Sequence, residues 1–102
     1  ISKNSKTKFK SGMLLTNEPG FYKSNKYGIR IENILLVKKK NKLLSFEVLT
    51  LAPIDIKLID YKLLNLKDKM WINNYHDNVF NKISKYLDKK ETIWLRNKTL
   101  PI

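Results

Sequence analysis

The stretch SGMLLTNEPGFY, residues 11–22, decides how this chain begins to fold. Gly12–Asn17 has the β-forming composition of a short strand, and Glu18, Pro19 and Gly20 end it. Proline biases the residue before it toward extended backbone, and glycine permits the turn that follows. We therefore expect the first strand to end on a carboxylate.

A second acid follows in the run GIRIENILLV. We expect a polar connection over residues 21–27 and then a strand over Gly28–Val37. Strand alternation places Arg30 and Glu32 on the same face, so that a pair of opposite charges points one way. After a lysine-rich turn, Leu43–Leu51 predicts a third strand that pairs as an antiparallel neighbour.

The second half of the chain predicts helices. Asn65, with Asp68 three residues later, is the expected cap of a first helix of roughly 17 residues, and Asp88 is the cap of a second. The apolar stripe of the first helix has four-residue spacing: Trp71, Tyr75, Val79 and Ile83. The second helix carries its apolar contacts at Ile93, Trp94 and Leu95. Strands first and helices after predict an α+β fold.

The charge of the chain is strongly positive. Its 102 residues carry a formal net charge of +12, almost all of it from lysines scattered between Lys3 and Lys98. A basic balance is typical of nucleic-acid binders. However, the one compact run, Lys38–Lys40, is typical of a solvated hairpin turn, and no helix-turn-helix or aromatic RNA platform is present. The sequence argues against nucleic-acid binding as the main function.

Several absences bound the class of protein. The chain has no cysteine, which excludes disulfides and thiolate metal sites. Its apolar runs are too short to span a bilayer, and no signal-peptide pattern precedes them. We expect a cytoplasmic chain without a membrane partner. Residues 1–10 are polar and unpatterned, with Phe9 as the side chain expected to attach them to the sheet. No methionine precedes Met13, which suggests a fragment, a processed chain or an unusual start.

The two acids on neighbouring strands raise a question of charge. Glu18 and Glu32 could converge on one point, where two carboxylates repel unless something positive lies between them. A hard divalent cation such as Mn²⁺ or Mg²⁺, or else Zn²⁺, would answer this repulsion. Arg30 would answer it as an ion-pair partner. The residues alone leave both answers open.

A resemblance covers nearly the whole chain. The runs SGMLLTNEPGFY and YGIRIENILLV resemble the end of the catalytic domain of aminopeptidase P, the Xaa-Pro aminopeptidase family of the pita-bread metallopeptidases. The runs FEVLTLAPIDIKLIDYKLL, WINNYHDNV and WLRNKTLPI resemble the C-terminal segment of its longer members. The resemblance implies the terminal strands of a pita-bread domain over residues 1–52 and a mostly helical C-terminal extension over residues 53–102.

The resemblance also implies roles for four residues. In this family two Asp, one His and two Glu hold a pair of divalent metals, commonly Mn²⁺, with Zn²⁺ or Co²⁺ as alternatives. Glu18 matches the first glutamate, a metal ligand and candidate proton shuttle, and Glu32 matches the glutamate that bridges both metals. Arg30 matches an arginine beside the site, and Tyr22 matches a nearby tyrosine expected to contact substrate. The implied reaction removes an N-terminal residue that precedes proline.

The resemblance places the other three ligands upstream, and they are not in this sequence. The run ISKNSKTKFKSGM resembles the stretch just after the family's last active-site histidine. His76, the single histidine, matches the tail pattern, which predicts a surface or helix-packing role. Trp71 and Trp94 are expected to be core or interface anchors. With two of five ligands, the chain alone is expected to bind the metals weakly and to be inactive.

Three alternatives stay open at this stage. The chain could be one product of a split gene that needs an upstream half, a decayed gene, or an excised piece of an intact enzyme. A non-catalytic remnant or interaction fragment is the main rival. Its exposed sheet edge could pair with an upstream fragment or with a second copy to form a homodimer. A basic nucleic-acid-binding module is the weaker rival.

Overall fold

The structure is a computed structural model that describes residues 6–102 of the chain. The chain divides into two compact units, Ile1–Thr50 and Leu51–Ile102. In the described residues the first unit holds the β-strands and the second holds the α-helices, as predicted. The first five residues of the predicted polar lead-in lie outside the described part. The domain boundary between residues 52 and 53 stays a prediction.

Within residues 6–50, the first unit is built from five antiparallel strands. They are β1 (Leu14–Asn17), β2 (Gly20–Lys23), β3 (Tyr27–Arg30), β4 (Asn33–Lys40) and β5 (Leu43–Val48). One sheet has the strand order β1-β4-β5, and β2 pairs with β3 in a second sheet. The predicted antiparallel third strand is confirmed, although it ends at Val48 instead of Leu51.

A single register runs through both sheets. Asn17 lies opposite Asn33 in β1 and β4, and Gly20 lies opposite Arg30 in β2 and β3. The four strands β1 to β4 therefore form one long hairpin. It is interrupted at the pair Pro19 and Ile31, where the Ile31 amide donates to the Pro19 carbonyl at 3.2 Å but receives no bond in return. Proline has no N–H to return that bond, so the ladder loses one rung there.

Two predictions about this hairpin were wrong. Residues 21–27, expected to be a polar connection, instead form β2, a tight turn and the start of β3. The Lys26 amide donates to the Lys23 carbonyl at 3.0 Å, and Asn25 takes the left-handed conformation that the turn requires, with φ of 56°. The strand expected over Gly28–Val37 is split in two by the missing rung.

The lysine run was also placed wrongly. Lys38–Lys40 belongs to β4, and the turn consists of Asn41 and Lys42, with φ of 57° at Asn41. Within the sheet, the Lys38 ammonium pairs with the Glu47 carboxylate across β4 and β5. A β-strand can carry consecutive lysines here because their charged ends reach water.

The core of the first unit is small. Val37, 1% exposed, is its most buried apolar side chain in the described residues. The Val37 amide donates to the Met13 carbonyl at 2.9 Å, and the Gly12 amide donates to the Val37 carbonyl at 2.8 Å. Phe9 packs edge-on against Phe46 with ring centroids 5.4 Å apart, which confirms its expected attachment to the sheet.

The second unit begins each of its α-helices with the predicted cap. Helix α1 spans Leu66–Ile83 and helix α2 spans Lys89–Lys98. The Asp68 amide donates to Oδ1 of Asn65 at 3.0 Å, and the Asn65 amide donates back to Oδ2 of Asp68 at 3.2 Å. Asp88 forms the same reciprocal pair with Glu91. Both helix starts are therefore specified locally.

The buried stripe of α1 differs from the predicted one. Its buried residues are Ile72, Tyr75, His76 and Val79. The segment before the helix determines this face, because the Tyr75 hydroxyl donates to the Ala52 carbonyl at 2.8 Å and the Ile54 amide donates to Nε2 of His76 at 3.1 Å. The helix-packing role predicted for His76 is confirmed, since it is 0% exposed.

Both tryptophans are more exposed than a core residue. Trp71 is 48% exposed and stacks on Tyr75 with ring centroids 5.5 Å apart, and Trp94 is 56% exposed. Of the three apolar contacts predicted in α2, only Leu95 is buried, whereas Ile93 is exposed. The core role predicted for the tryptophans is therefore wrong in this chain, and their interface role stays a prediction.

Side-chain contacts close the helical unit. The Arg96 guanidinium of α2 lies 3.3 Å from the ring centroid of Phe80 in α1. The Asn73 side chain pairs with the backbone of Ile102, accepting from its amide at 2.9 Å and donating to its carbonyl at 3.4 Å. Within the described range, neither α-helix is both long enough and apolar enough to cross a membrane.

The cap of helix α1 should contribute measurably to the free energy of unfolding. Asn65→Ala removes the acceptor for the Asp68 amide, and the free energy of unfolding should fall by about 1 kcal/mol in urea denaturation of the full chain. Asn74→Ala, at an exposed position inside the same helix, should be neutral or slightly stabilising because alanine has the higher helix propensity. Equal losses in both variants would contradict the assigned cap.

His76 should make stability depend on pH. Burial lowers the pKa of His76, while the Leu100 backbone and the Asp77 carboxylate act in the opposite direction. A lowered pKa favours the neutral imidazole in the folded state, and Nε2 must be neutral to accept from the Ile54 amide. The stabilisation is full above the unfolded pKa of about 6.5 and is lost as pH falls below it, by at most about 1.4 kcal/mol per pH unit.

The measurement is a pair of titrations on the intact chain. Because His76 is the single histidine, its ring C–H resonances report its pKa in the folded state without interference. Urea denaturation at several pH values between 7.5 and 5, a range of roughly one unit on either side of the unfolded pKa, gives the matching stability curve. A folded-state pKa at or above the ordinary value would contradict this expectation.

Candidate metal centre at the break in the long hairpin

The two predicted glutamates face each other across the hairpin. The common register of the two sheets places Glu18 opposite Glu32, at the break between β1 and β2 on one side and β3 and β4 on the other. The adjacent pair, Pro19 and Ile31, is joined by a backbone hydrogen bond. The glutamate pair is therefore of the non-hydrogen-bonded type, in which the Cα atoms approach to about 4.5 Å and the side chains come closest.

Glu18 is held at both of its carboxylate oxygens. The Thr16 hydroxyl donates to Oε1 at 2.7 Å, and Nη1 of Arg30 donates to Oε2 at 2.9 Å. The hydrogen bond from Thr16, followed by the charge of Arg30, lowers the pKa of Glu18. Glu18 is therefore a carboxylate of fixed orientation at the surface of this unit.

Arg30 supplies a positive charge at the site and pairs with Glu18. Its Nε donates to the Tyr22 hydroxyl at 2.7 Å, and the guanidinium carbon lies 5.8 Å from the Tyr22 ring centroid. The hydrogen bond to Tyr22 and then the charges of Glu18 and Glu32 raise the pKa of Arg30. The sequence left open whether a divalent cation or Arg30 offsets the repulsion between the two acids. The structure shows the ion pair of Arg30 with Glu18.

Two glycines create the space that Tyr22 occupies. A Cβ atom at Gly20 would lie 2.6 Å from the Tyr22 hydroxyl oxygen, and one at Gly28 would lie 2.5 Å from Cδ1 of the ring. Gly28 lies opposite Tyr22, and Gly20 lies opposite Arg30. The ring thus lies across the backbone of the hairpin, with its hydroxyl directed at Arg30.

Family comparisons agree with this arrangement. Residues 1–39 match the model of metallopeptidase family M24, and residues 42–102 match the model of the C-terminal region of peptidase M24. The chain belongs to the M24 metallopeptidase family. The predicted resemblance and the predicted fold class, α+β with the terminal strands of a pita-bread domain and a helical extension, are confirmed.

Named relatives of this M24 chain are Xaa-Pro aminopeptidases. A "Probable Xaa-Pro aminopeptidase P" of Coprinopsis cinerea is 44% identical over 106 residues, which cover 94% of this chain and 17% of that protein. A protein of the same name from Pyrenophora teres f. teres is 42% identical over 100 residues, covering 88% of this chain and 15% of the relative.

A solved structure matches the fold. The X-prolyl aminopeptidase of Caenorhabditis elegans, described as a cytosolic enzyme with a di-nuclear active site, superposes with a TM-score of 0.86 at 32% identity. The match covers 99% of this chain and 18% of that one. The M24 chain thus spans about a sixth of the length of the relatives that it matches.

The M24 chain carries part of a donor set for hard cations. Glu18 and Glu32 offer carboxylate oxygens, the ligands that Mn²⁺ and Mg²⁺ prefer. Among residues 6–102 no cluster of three or more His, Cys, Asp or Glu side chains could hold a metal ion. His76 is buried in the second unit, where its Nε2 accepts from the Ile54 amide. Among the described residues, the two carboxylates alone therefore do not make up a complete metal site.

Sequence reasoning missed three residues at this site. Thr16, Gly20 and Gly28 lie on the same face as the two glutamates, because all have even numbers in a continuous antiparallel register. Strand alternation counted in both directions from Glu18 would have found Thr16 and Gly20. Gly28 could not be found that way, because residues 21–27, which contain the turn that sets its register, were predicted to be a polar connection.

Removing the space beneath Tyr22 should loosen Arg30. In Gly28→Ala the new methyl group collides with the Tyr22 ring, so the bond from Arg30 Nε to the hydroxyl should be lost, as it is in Tyr22→Phe. NMR of the full chain should show faster exchange of the Arg30 Nε proton with water in both variants. Ser24→Ala, in the exposed turn of the same hairpin, is the control, and slow exchange in Gly28→Ala would contradict the assigned role of the glycine.

Proposed function

We propose that this chain supplies the C-terminal part of a metal-dependent Xaa-Pro aminopeptidase. The observation that carries the proposal is the opposition of Glu18 and Glu32 across one register, with Arg30 paired to Glu18, in a member of the M24 metallopeptidase family. The substrates proposed are peptides with proline in the second position, as the names of the relatives indicate. The reaction is hydrolysis of the bond before that proline.

The two glutamates are the proposed metal ligands of this chain. When bound, two divalent ions would supply polarisation of a peptide carbonyl and activation of water at neutral pH. The di-nuclear site of the Caenorhabditis elegans relative supports a pair of ions, and we propose Mn²⁺, with Zn²⁺ or Co²⁺ as alternatives. Glu32 would hold both ions, and Glu18 would hold one of them and would also accept and pass on a proton of water.

Arg30 and Tyr22 have supporting roles in this proposal. Arg30 orients the Glu18 carboxylate through the bond to Oε2, and its charge offsets the repulsion between the two acids. Tyr22 fixes the guanidinium by accepting from Nε and keeps its own hydroxyl proton to donate to a peptide group of the substrate. The direct contact of Tyr22 with substrate is part of the proposal.

The site requires the remaining ligands from an upstream part of the enzyme. The face of the hairpin opposite to the acids exposes Phe21, Tyr27, Ile29 and Ile31, and the Phe21 and Tyr27 rings lie 6.1 Å apart. An exposed apolar group of this kind marks an interaction surface. We propose that the upstream part covers it, that the chain alone is inactive, and that the enzyme is cytoplasmic, like the cytosolic relative.

A chimeric enzyme tests the proposal. The segment of the Caenorhabditis elegans enzyme that superposes on this chain is replaced by residues 1–102, and hydrolysis of an Xaa-Pro peptide is measured with Mn²⁺. Activity is expected, and Glu18→Ala or Glu32→Ala should lower kcat/KM by more than about 100-fold, beyond the range of changes in residues that only support a ligand.

The matched control is another carboxylate of the same unit. Glu47→Ala removes an acid that pairs with Lys38 in the β4–β5 hairpin, and it should leave the activity of the chimera unchanged. The isolated 102-residue chain should show no hydrolysis with Mn²⁺. Equal activity of the chimera before and after Glu32→Ala would sink the site assignment, and a folded, metal-loaded chimera without activity would sink the function.

A further inference from the structure

The Thr16 hydroxyl binds Glu18, yet Thr16 has no role in the sequence-based expectations or in the proposed function. Thr16 lies in β1, opposite Ile34, and is half-buried. Its Oγ1 donates to Oε1 of Glu18 at 2.7 Å, within the range of a well-formed hydrogen bond from a hydroxyl to a carboxylate. A hydroxyl has a single proton to donate, so this proton is committed to Glu18.

We propose that Thr16 is a positioning residue that fixes the orientation of the Glu18 carboxylate for metal binding. This inference rests on the proposed function, because it assumes that Glu18 is a ligand. Thr16 touches neither metal nor substrate in this assignment and acts only through Glu18.

The geometry explains why two supports are needed. The terminal torsion of a glutamate is broad and roughly two-fold, so a single support leaves the carboxylate plane free to turn. Arg30 holds Oε2 from the opposite strand, and Thr16 holds Oε1 from the strand of Glu18 itself. Each oxygen keeps a second lone pair, which is the direction left for a metal ion.

Threonine suits this task better than a flexible hydroxyl would. Its β-branched side chain has a restricted χ1, and strand alternation places Thr16 and Glu18 on the same face. The hydroxyl therefore starts near the position where the carboxylate oxygen must lie. Side chains that support metal ligands in this way typically change metal affinity by about 10- to 100-fold when they are removed.

Thr16→Val and Thr16→Ser separate the hydroxyl from the shape of the side chain. Valine keeps the branched shape and removes the donor, whereas serine keeps the donor. In the chimera, Mn²⁺ affinity followed by electron paramagnetic resonance should fall about 10- to 100-fold in Thr16→Val and should be restored in Thr16→Ser. kcat should fall in Thr16→Val with little change in KM, because substrate contacts are untouched.

A second readout needs no metal. In the 102-residue chain, the ¹³C resonance of the Glu18 carboxylate should shift in Thr16→Val and return toward the original position in Thr16→Ser. The thermal unfolding midpoints of the two variants should agree, which separates loss of the bond from loss of folding.

The outcomes distinguish this inference from the proposed function. If Glu18→Ala leaves Mn²⁺ affinity and activity unchanged, the proposed function fails and takes this inference with it. If Glu18→Ala abolishes both while Thr16→Val resembles the unsubstituted enzyme, the ligand assignment stands and the role of Thr16 is overturned. Equal losses in Thr16→Val and Thr16→Ser would also overturn it, because the hydroxyl would then not be the cause.

Discussion

Arg30 offsets the charge repulsion that the register of the long hairpin creates between Glu18 and Glu32. The register brings Glu18 and Glu32 face to face at a non-hydrogen-bonded pair, where like charges repel most strongly. The Arg30 guanidinium pairs with one of these acids, and the charges of both raise its pKa. Tyr22 then holds the guanidinium, and Gly20 and Gly28 leave room for the Tyr22 ring. Along one face of the hairpin, each of these residues therefore fixes the position of the next.

The parts of the fold that could be predicted are those encoded by neighbours in sequence. Asn65 and Asp88 cap their helices through residues three positions away, so pattern and structure agree there. The β2–β3 hairpin was missed because its turn depends on a left-handed Asn25, in a stretch without a glycine at that position. The buried face of α1 was misplaced because the segment at Ala52 and Ile54, not the helix itself, selects which side chains are covered.

The residues of the candidate site likewise include some that the sequence alone predicts and some that it does not. Glu18, Glu32 and Arg30 could be named from motif and strand alternation, and the structure brings them together. Thr16 could have been found by the same alternation, whereas Gly28 joins the site only once the register across the turn is known. Further ligands of the proposed metal centre could be inferred only from the family resemblance, because the described residues contain no group of three or more His, Cys, Asp or Glu that could hold a metal ion.

The ion pair at Glu18 has a consequence for the order of assembly. Many small metal sites are held apart by mutual repulsion until the ion arrives, so that folding and metal uptake become one event. Here an internal counterion, Arg30, already neutralises part of the acidic pair in the apo chain. In the proposed enzyme, the hairpin would therefore adopt its final shape before any ion is bound.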